Sequence, residues 1–377
     1  MSYVFKTFPS VKAVPDSCWA DLNFGQNIYF KPEFLLAFEA ANGDITFNYI
    51  FVFKNGKAVA FAYTQIITIS IKTITKNTRM LKHIRQGINT LFRQHPLRVL
   101  FCGNIFLSGE YGIFLQDGEN KTAAFQVIAK ALKQLSKNTK KLHALFVKDF
   151  EENSLKVTNQ LYDFDYASMT VEPNMIINLK PEWQSFKDYK SALKSKYRVK
   201  ANKADSKSKT LKTLFFSEAD IKKHLKSLQD LYQNTIDNAD FNAQILNLET
   251  YVHLKSAFPK QFFVKGYFLG EQLVGFLSAM HNQSHLDAHF IGIDYTLNKT
   301  YAIYPRILND YVKLGLEVGA TQINLGRTAS EIKSTLGAVP QGLTCYCRHK
   351  RNLPNLILKP FIANVKIKTF KQHYPFK

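Results

Sequence analysis

The run His285-Leu286-Asp287-Ala288-His289-Phe290-Ile291-Gly292-Ile293-Asp294 alternates ionisable and apolar residues before it turns fully apolar. A strand sends successive side chains to opposite faces, so His285, Asp287 and His289 share one side. An imidazole titrating near 6.5 can take a proton at neutral pH, and a carboxylate two residues away on the same face can orient it. The pattern suits general-base chemistry, with His289 and Asp287 as the catalytic pair and His285 beside them. The same alternation would also arise on a sheet face turned to water. Asp294 closes the run at the carboxyl end of a strand, where α/β proteins build sites, and joins the catalytic candidates.

A second concentration of charge follows the short apolar stretch Gln322-Ile323-Asn324-Leu325. There Gly326-Arg327 leads into Glu331 and Lys333. Arginine offers a planar fork to a phosphate or carboxylate, so Arg327 is a substrate-binding candidate, with an ion pair to Glu331 as the competing reading. Lys333 could return to the same pocket as a second cation. Between the two stretches, Tyr301, Tyr304 and Arg306 open a helix expected from Ala302 to Glu317. Spacing by one turn puts the two tyrosines on one face. Tyr304 could donate to an oxyanion or protonate a leaving thiolate, while Tyr301 and Arg306 would bind substrate. Glu110 and Tyr111, in Ser108-Gly109-Glu110-Tyr111-Gly112, line either an acceptor groove or a plain turn. No Ser-His-Asp or Cys-His nucleophile pattern occurs, which favours transfer without a covalent enzyme intermediate.

Positioning these residues takes two similar sets of elements. The first half reads as a helix from Lys31 to Ala41, strands from Ile45 to Phe53 and Ala58 to Ile71, and a basic helix around Lys76 to Gln94. A strand from Arg98 to Phe106, a helix from Thr122 to Ser136 and a strand from Lys141 to Asp149 complete it. Asn55-Gly56 between β-rich runs is a hairpin signal. The second half reads as helices at Ser217 to Asn234 and Leu248 to Ala257, then strands Phe262 to Phe268, Leu273 to His281 and His285 to Asp294. The helix to Glu317 and a strand to Leu325 follow. Repetition of one order predicts an α/β chain of two domains, 1–180 and 181–377, parted where Pro181 interrupts and a basic block begins.

Composition narrows the partners. The chain of 377 residues carries a formal net charge of +21. Ten Lys or Arg fall between Lys187 and Lys212 against two Asp, and Cys345 to Lys377 contains no acid. Such blocks fit an anionic partner, nucleic acid or an acidic membrane surface. The four cysteines lack zinc spacing and read as reduced thiols, so no metal is expected. No apolar run reaches the roughly 20 residues of a membrane helix. The reading is a cytoplasmic protein, at most peripheral on the inner face of the membrane.

Two segments carry a family resemblance. The basic stretch Tyr189-Lys190-Ser191-Ala192-Leu193-Lys194-Ser195-Lys196-Tyr197-Arg198, continuing to Ala204, resembles the helix that opens the second domain of Fem-like acyltransferases, a tandem branch of the GNAT superfamily. Asn324-Leu325-Gly326-Arg327 through Lys333-Ser334-Thr335-Leu336-Gly337 resembles their closing Gly-Arg…Lys…Gly element. The Trp19 to Glu39 opening is similar to their first domain. The resemblance spans almost the whole chain, and its specific part is those two motifs. It implies two tandem GNAT-like domains, each a mixed, mostly antiparallel sheet flanked by helices, with the site between them and largely on the second. It also places Arg198 among the substrate-binding candidates.

The implied reaction moves an acyl group from a thioester, on acyl carrier protein or coenzyme A, to the amine of a lipid or cell-envelope precursor, with no tightly bound cofactor. Two alternatives remain open: an aminoacyl-tRNA-dependent transferase acting on a peptidoglycan precursor, and a non-catalytic GNAT-fold protein that binds nucleic acid or membrane. The basic blocks would dock an acidic carrier protein or membrane surface, or track tRNA phosphates. Ordinary GNAT enzymes hold coenzyme A pyrophosphate on a glycine-rich turn at a helix N-terminus. Asp294 to Arg306 has no such glycine pair, and Fem-like members lack it too. The long helical arm of some Fem enzymes is also missing, because Asn238-Ala239-Asp240 breaks the segment from Ser217 to Ala257.

Overall fold

The structure, a computed structural model, describes residues 3–70, 96–238, 243–363, 367 and 369–377. The basic helix expected from Lys76 to Gln94 lies outside the described residues, as do Ala239 and Asp240. Thirteen strands are present among the described residues: β1 (Tyr3–Phe8), β2 (Thr46–Lys54), β3 (Lys57–Ile69), β4 (Leu97–Cys102), β5 (Ile113–Leu115), β6 (Leu142–Phe150), β7 (Ala167–Asn178), β8 (Lys212–Phe215), β9 (Phe262–Leu269), β10 (Gln272–Asn282), β11 (His285–Ile293), β12 (Gln322–Asn324) and β13 (Val339–His349). They form one sheet in the order β1-β2-β3-β4-β6-β13-β7-β12-β11-β10-β9-β8, with β5 paired to β3.

The expected repeat is visible in this order. In the first half, antiparallel β2, β3 and β4 are followed by the helix Lys121–Asn138 and then by β6, parallel to β4. In the second, antiparallel β9, β10 and β11 are followed by the helix Ile303–Glu317 and then by β12, parallel to β11. Parallel neighbours need a crossover, and each helix supplies it. The Asn55-Gly56 hairpin forms as read, with both residues at positive φ (51° and 83°) between the paired Lys54 and Lys57.

The strands that join the halves are less apparent from sequence. β7 follows the first half but pairs with β12, whereas β13 follows the second half and pairs with β6; the two also pair with each other. This exchange makes one continuous sheet. Pro173 lies inside β7 opposite a register shift between Gln341 and Leu343. Proline is tolerated in a strand at such a bulge, where it disguises the strand pattern.

Both halves bury one sheet face in a shared aromatic interior. Phe34, Phe38, Phe51, Phe61 and Tyr63 pack in the same cluster as Tyr251, Leu254, Phe276 and Met280. The helix Pro32–Ala41 lies against the helix Glu249–Ala257, and Asn42 Nδ2 donates to Thr250 Oγ1 at 3.1 Å across that contact. The outer faces are covered separately, by the helix Lys121–Asn138 in the first half and the helix Ile303–Glu317 in the second.

One helix expectation is corrected. Ala302 adopts left-handed φ 50°, so Tyr301 ends the helix Tyr295–Tyr301 while Tyr304 belongs to the next one. The one-turn argument that aligned the two tyrosines therefore fails.

Candidate active site

β11 and β12 pair over only three residues, and the last partners are Asp287 and Asn324. Past that point β11 and β12 part, while the chain after β12 stays bonded to β7 through Leu325 N to Met175 O at 2.9 Å and Met175 N to Gly326 O at 3.1 Å. Asp287 and His289 face the shared interior here, while His281, registered opposite Leu286, lies on the other face.

Asp287 is buried and collects donors from both halves. Tyr29 Oη donates to its Oδ2 at 2.8 Å, Asn324 Nδ2 to its Oδ1 at 3.1 Å and Tyr111 Oη to the same Oδ1 at 3.4 Å. Burial raises the Asp287 pKa, and these hydrogen bonds oppose the rise. Burial, then the Asp287 charge, push both tyrosines well above the usual phenol range, so they stay protonated as donors. His289 Nε2 lies 3.4 Å from Tyr29 Oη. Burial lowers its pKa to about 4, which keeps the imidazole neutral at pH 7. His285 heads the same strand, where a positive charge would lower the Asp287 pKa.

Tyr29 reaches this strand because the β10–β11 hairpin holds its segment. Asn282 Oδ1 accepts from Ile28 N at 2.8 Å, and Asn282 Nδ2 donates to Asn27 Oδ1 at 3.2 Å. Tyr111 is delivered by a loop closed at its neck. A Cβ on Gly112 would lie 2.6 Å from Gly103 Cα, so only glycine lets the two backbones meet. Tyr111 then packs on Tyr29 with centroids 4.2 Å apart.

Hydrogen bonds continue the network to Arg327. Gly326 N donates to Asn324 Oδ1 at 2.9 Å, and Arg327 pairs with the fully buried Asp149 of β6. Asp149 also accepts from Lys148 Nζ at 2.7 Å. Burial alone would raise the Asp149 pKa, but Lys148 and Arg327 hold it below the usual carboxylate range. Two cations around one carboxylate leave a positive surplus, and Arg327 Nε is buried without a partner among the described atoms.

The turn that presents Arg327 is strained at Thr328 and Ala329, which have positive φ, while Gly326 takes the same region freely. Lys333 holds it from below, donating to Gly326 O at 3.2 Å and Arg327 O at 2.5 Å. Buried there, Lys333 has its pKa lowered to about 7. Its amine serves the backbone of the turn, which is a different place from the second pocket cation expected.

Glu110 points away from Tyr111 and lines a cleft of about 450 Å³ with Lys121, Lys148, Ser154 and Lys156. Burial raises its pKa against hydrogen bonds from Glu151 N and Ser154 Oγ.

The structure thus brings together Asp287, His289, His285, Tyr111, Arg327 and Lys333, with Glu110 behind Tyr111. Other candidates lie elsewhere. Asp294 caps the helix Tyr295–Tyr301 through Thr296 N at 2.9 Å. Arg306 bonds Asp310 at 2.8 Å in a cluster with Lys265 and Lys313. Tyr301 and Tyr304 pack in the outer core of the second half. Arg198 donates to Leu193 O, and Glu331 lies 3.5 Å from His373. Among the described residues neither is hydrogen-bonded to the Asp287 network. Sequence reasoning missed Tyr29, Asp149 and Asn324 as site residues. Lys148-Asp149 at the end of an apolar run carried the same signal as Asp294, whereas a tyrosine inside an aromatic-rich segment carries none. Among the described residues no cluster of three or more His, Cys, Asp or Glu could hold a metal ion.

No family model matches the sequence, and no curated protein is similar to it in sequence. Its fold is similar to that of solved structures. FemX aligns at TM-score 0.55 with 11% identity, covering 95% of this chain and 100% of its own. A tandem GNAT protein from the clavulanic acid biosynthesis pathway aligns at 0.54 with 9% identity, covering 92% and 99%. L-PGS from Bacillus licheniformis aligns at 0.51 with 11% identity, covering 96% and 99%. The chain has the Fem-like, tandem GNAT type of fold.

Proposed function

We propose that this chain is an N-acyltransferase that moves an acyl group directly from a thioester to the amine of a lipid or cell-envelope precursor, where β11 and β12 part. The observation that carries the reading is the convergence of Tyr29, Tyr111 and Asn324, from both halves, on the buried Asp287 beside His289. The fold shared with GNAT-type proteins supports it.

The acceptor ammonium gives one proton to the neutral His289, with Asp287 and Tyr29 fixing the ring side of the exchange. The free amine attacks the thioester carbonyl, a C–N bond forms, and the carbonyl oxygen becomes an oxyanion. Arg327 supplies positive charge to it. The C–S bond then breaks, the nitrogen loses its second proton, and the departing thiolate takes one proton. One amide, one thiol and one net proton result. The cleft beside Glu110 suits the acceptor: its carboxylate can meet an ammonium, while Lys121, Lys148 and Lys156 suit phosphate. Acyl carrier protein or acyl-coenzyme A would bring the thioester.

The exposed lysines 194, 196, 200, 203 and 207 support a second reading, in which aminoacyl-tRNA is the donor and affinity falls steeply with salt. Mass analysis of lipids and peptidoglycan from a deletion strain decides between them. Loss of an acylated amine lipid or precursor supports the first, and loss of an aminoacyl branch supports the second. Unchanged profiles overturn both.

A further inference from the structure

The helix Asn352–Ala363 is apolar on two opposite sides, and the protein covers one of them. Asn355, Leu358 and Ile362 face the sheet, where Ile362 and Leu358 pack with Ala167, Cys347, Phe146 and Met169. At 100° per residue, Leu353, Leu356, Ile357, Pro360 and Phe361 cover an arc of about 140° on the far side. The large members of that arc are open: Leu353 is 74% exposed, Leu356 66%, Ile357 65% and Phe361 69%. A helix apolar all round is ordinarily buried, and isolated exposed leucines are ordinary, but four on one stripe make a patch that needs a partner.

The surroundings say which partner. The helix N-terminus sits among cations. Lys350 Nζ donates to Thr139 O at 2.7 Å and Lys350 N to His143 O at 2.8 Å, which places it beside the exposed Lys140 and Lys141. Arg98 bonds Lys140 O at 3.1 Å, and Arg351 is exposed. Asp165, the acid that meets the helix flank, is paired with Lys359 at 3.3 Å. From Cys345 to the end of the sequence there are eight Lys or Arg and no Asp or Glu. An apolar stripe with no polar residue inside it, rimmed by Lys and Arg, is how a helix lies in the plane of an anionic lipid interface. A second copy of this chain would instead bring like charge against like charge, +21 facing +21.

We infer that the helix Asn352–Ala363 is an interfacial docking element that seats the protein on an anionic bilayer through Leu353, Leu356, Ile357 and Phe361. Among the described residues no helix is long and apolar enough to cross a membrane, so this contact would lie on the surface. Cys347, under the helix, is two residues along β13 from Cys345, whose thiol donates to Asp149 at 3.2 Å. The covered side of the docking helix therefore lies toward the Arg327–Asp149 end of the site, along the same strand. This inference rests on the transfer reading for its purpose alone.

The test uses the full chain with no donor or acceptor, so docking and transfer can fail separately. Sedimentation with vesicles of mixed phosphatidylglycerol and phosphatidylcholine should show affinity about tenfold or more above that for phosphatidylcholine alone, and should weaken with salt. The double variant Ile357→Ser/Phe361→Ser should lose about tenfold in vesicle affinity with its thermal melt retained. The emission of a Phe361→Trp variant should shift to the blue on mixed vesicles, against the background of Trp19 and Trp183. Unchanged binding by the double variant, or an unshifted emission, overturns the inference. So does a dimer in sedimentation equilibrium that the double variant dissociates without any vesicle binding, because the stripe then belongs to a second copy.

Discussion

The β4–β6 pair and the β11–β12 pair are each bridged by one long helix, yet their surfaces differ. β4 and β6 run parallel from Arg98 to Cys102, and Val99, Leu100, Phe101 and Cys102 pack against apolar partners on both faces. β11 and β12 stop after three pairs, at a carboxylate opposite an amide, and the strand beyond carries His289. Continuous apolar burial holds the first pair closed, while polar side chains at the end of the second leave it open on the interior side. The candidate base and its carboxylate, His289 and Asp287, therefore belong to the second half. The first half contributes what surrounds them: Tyr29, Tyr111 and Asp149. Neither half contains the whole hydrogen-bond network.

The strongest way to break this division is at Asp287. Asp287→Asn keeps the volume and a hydrogen-bond acceptor but removes the charge, and turnover should fall by about 100- to 10,000-fold with the melt little changed. Unchanged turnover would move the chemistry away from the β11–β12 opening.

His289→Gln should cost about a hundredfold or more in turnover, and it tests the pKa as well. The folded value of about 4 lies below the roughly 6.5 of an unfolded histidine. The unfolded chain therefore binds the proton first as pH falls, and stability conferred by the neutral ring is lost between about pH 6.5 and 4. Thermal melts across that window should show a smaller acid loss in His289→Gln than in the parent. The acid limb of kcat/KM in the parent should fall near 4 rather than 6.5.

Arg327→Lys retains the charge at the junction of the halves but loses the planar fork. It should lower turnover about ten- to a hundredfold while sparing the fold. If turnover holds, the Asp149 pair is structural and the oxyanion is met elsewhere.

Lys333→Met separates support from chemistry. The parent amine has a folded pKa of about 7 against about 10.4 unfolded, so stability should rise with pH across that interval. The variant should lack that rise, as read by denaturant titration at several pH values.

The smallest effect is expected in the closed pair. Phe146 stacks on Phe101 at 5.2 Å, and Phe146→Leu should cost about 1 kcal/mol of stability with turnover per folded molecule unchanged. A loss of turnover there would show that the first half does more than frame the site.

Much of the fold is legible along the chain because local rules act within single elements. Alternation marked β11, Asn55-Gly56 marked a hairpin, and apolar periodicity marked the helices before β6 and β12. β7 and β13 escaped because Pro173 and Gly342 interrupt their patterns and their partners are distant in sequence. The site divided along the same line. Asp287, His289 and Arg327 stand out as charges on or just after apolar strands, a signal of residue type and spacing. Asp294 carries that signal too, yet it caps a helix, because a carboxylate one residue before a helix meets free backbone N–H groups.

By itself, then, the sequence determined the repeated order of elements, the strand face shared by Asp287 and His289, the glycine-arginine turn and the surplus of positive charge. Each depends on residues within a few positions of one another, where periodicity and turn chemistry act. Only the tertiary structure decided that the halves exchange β7 and β13, that Tyr29 and Asp287, 258 residues apart, share a hydrogen bond, and that Arg327 meets Asp149. Those contacts depend on burial: a carboxylate leaves water when donors arrive from elsewhere in the chain, and the folded sheet brings them there.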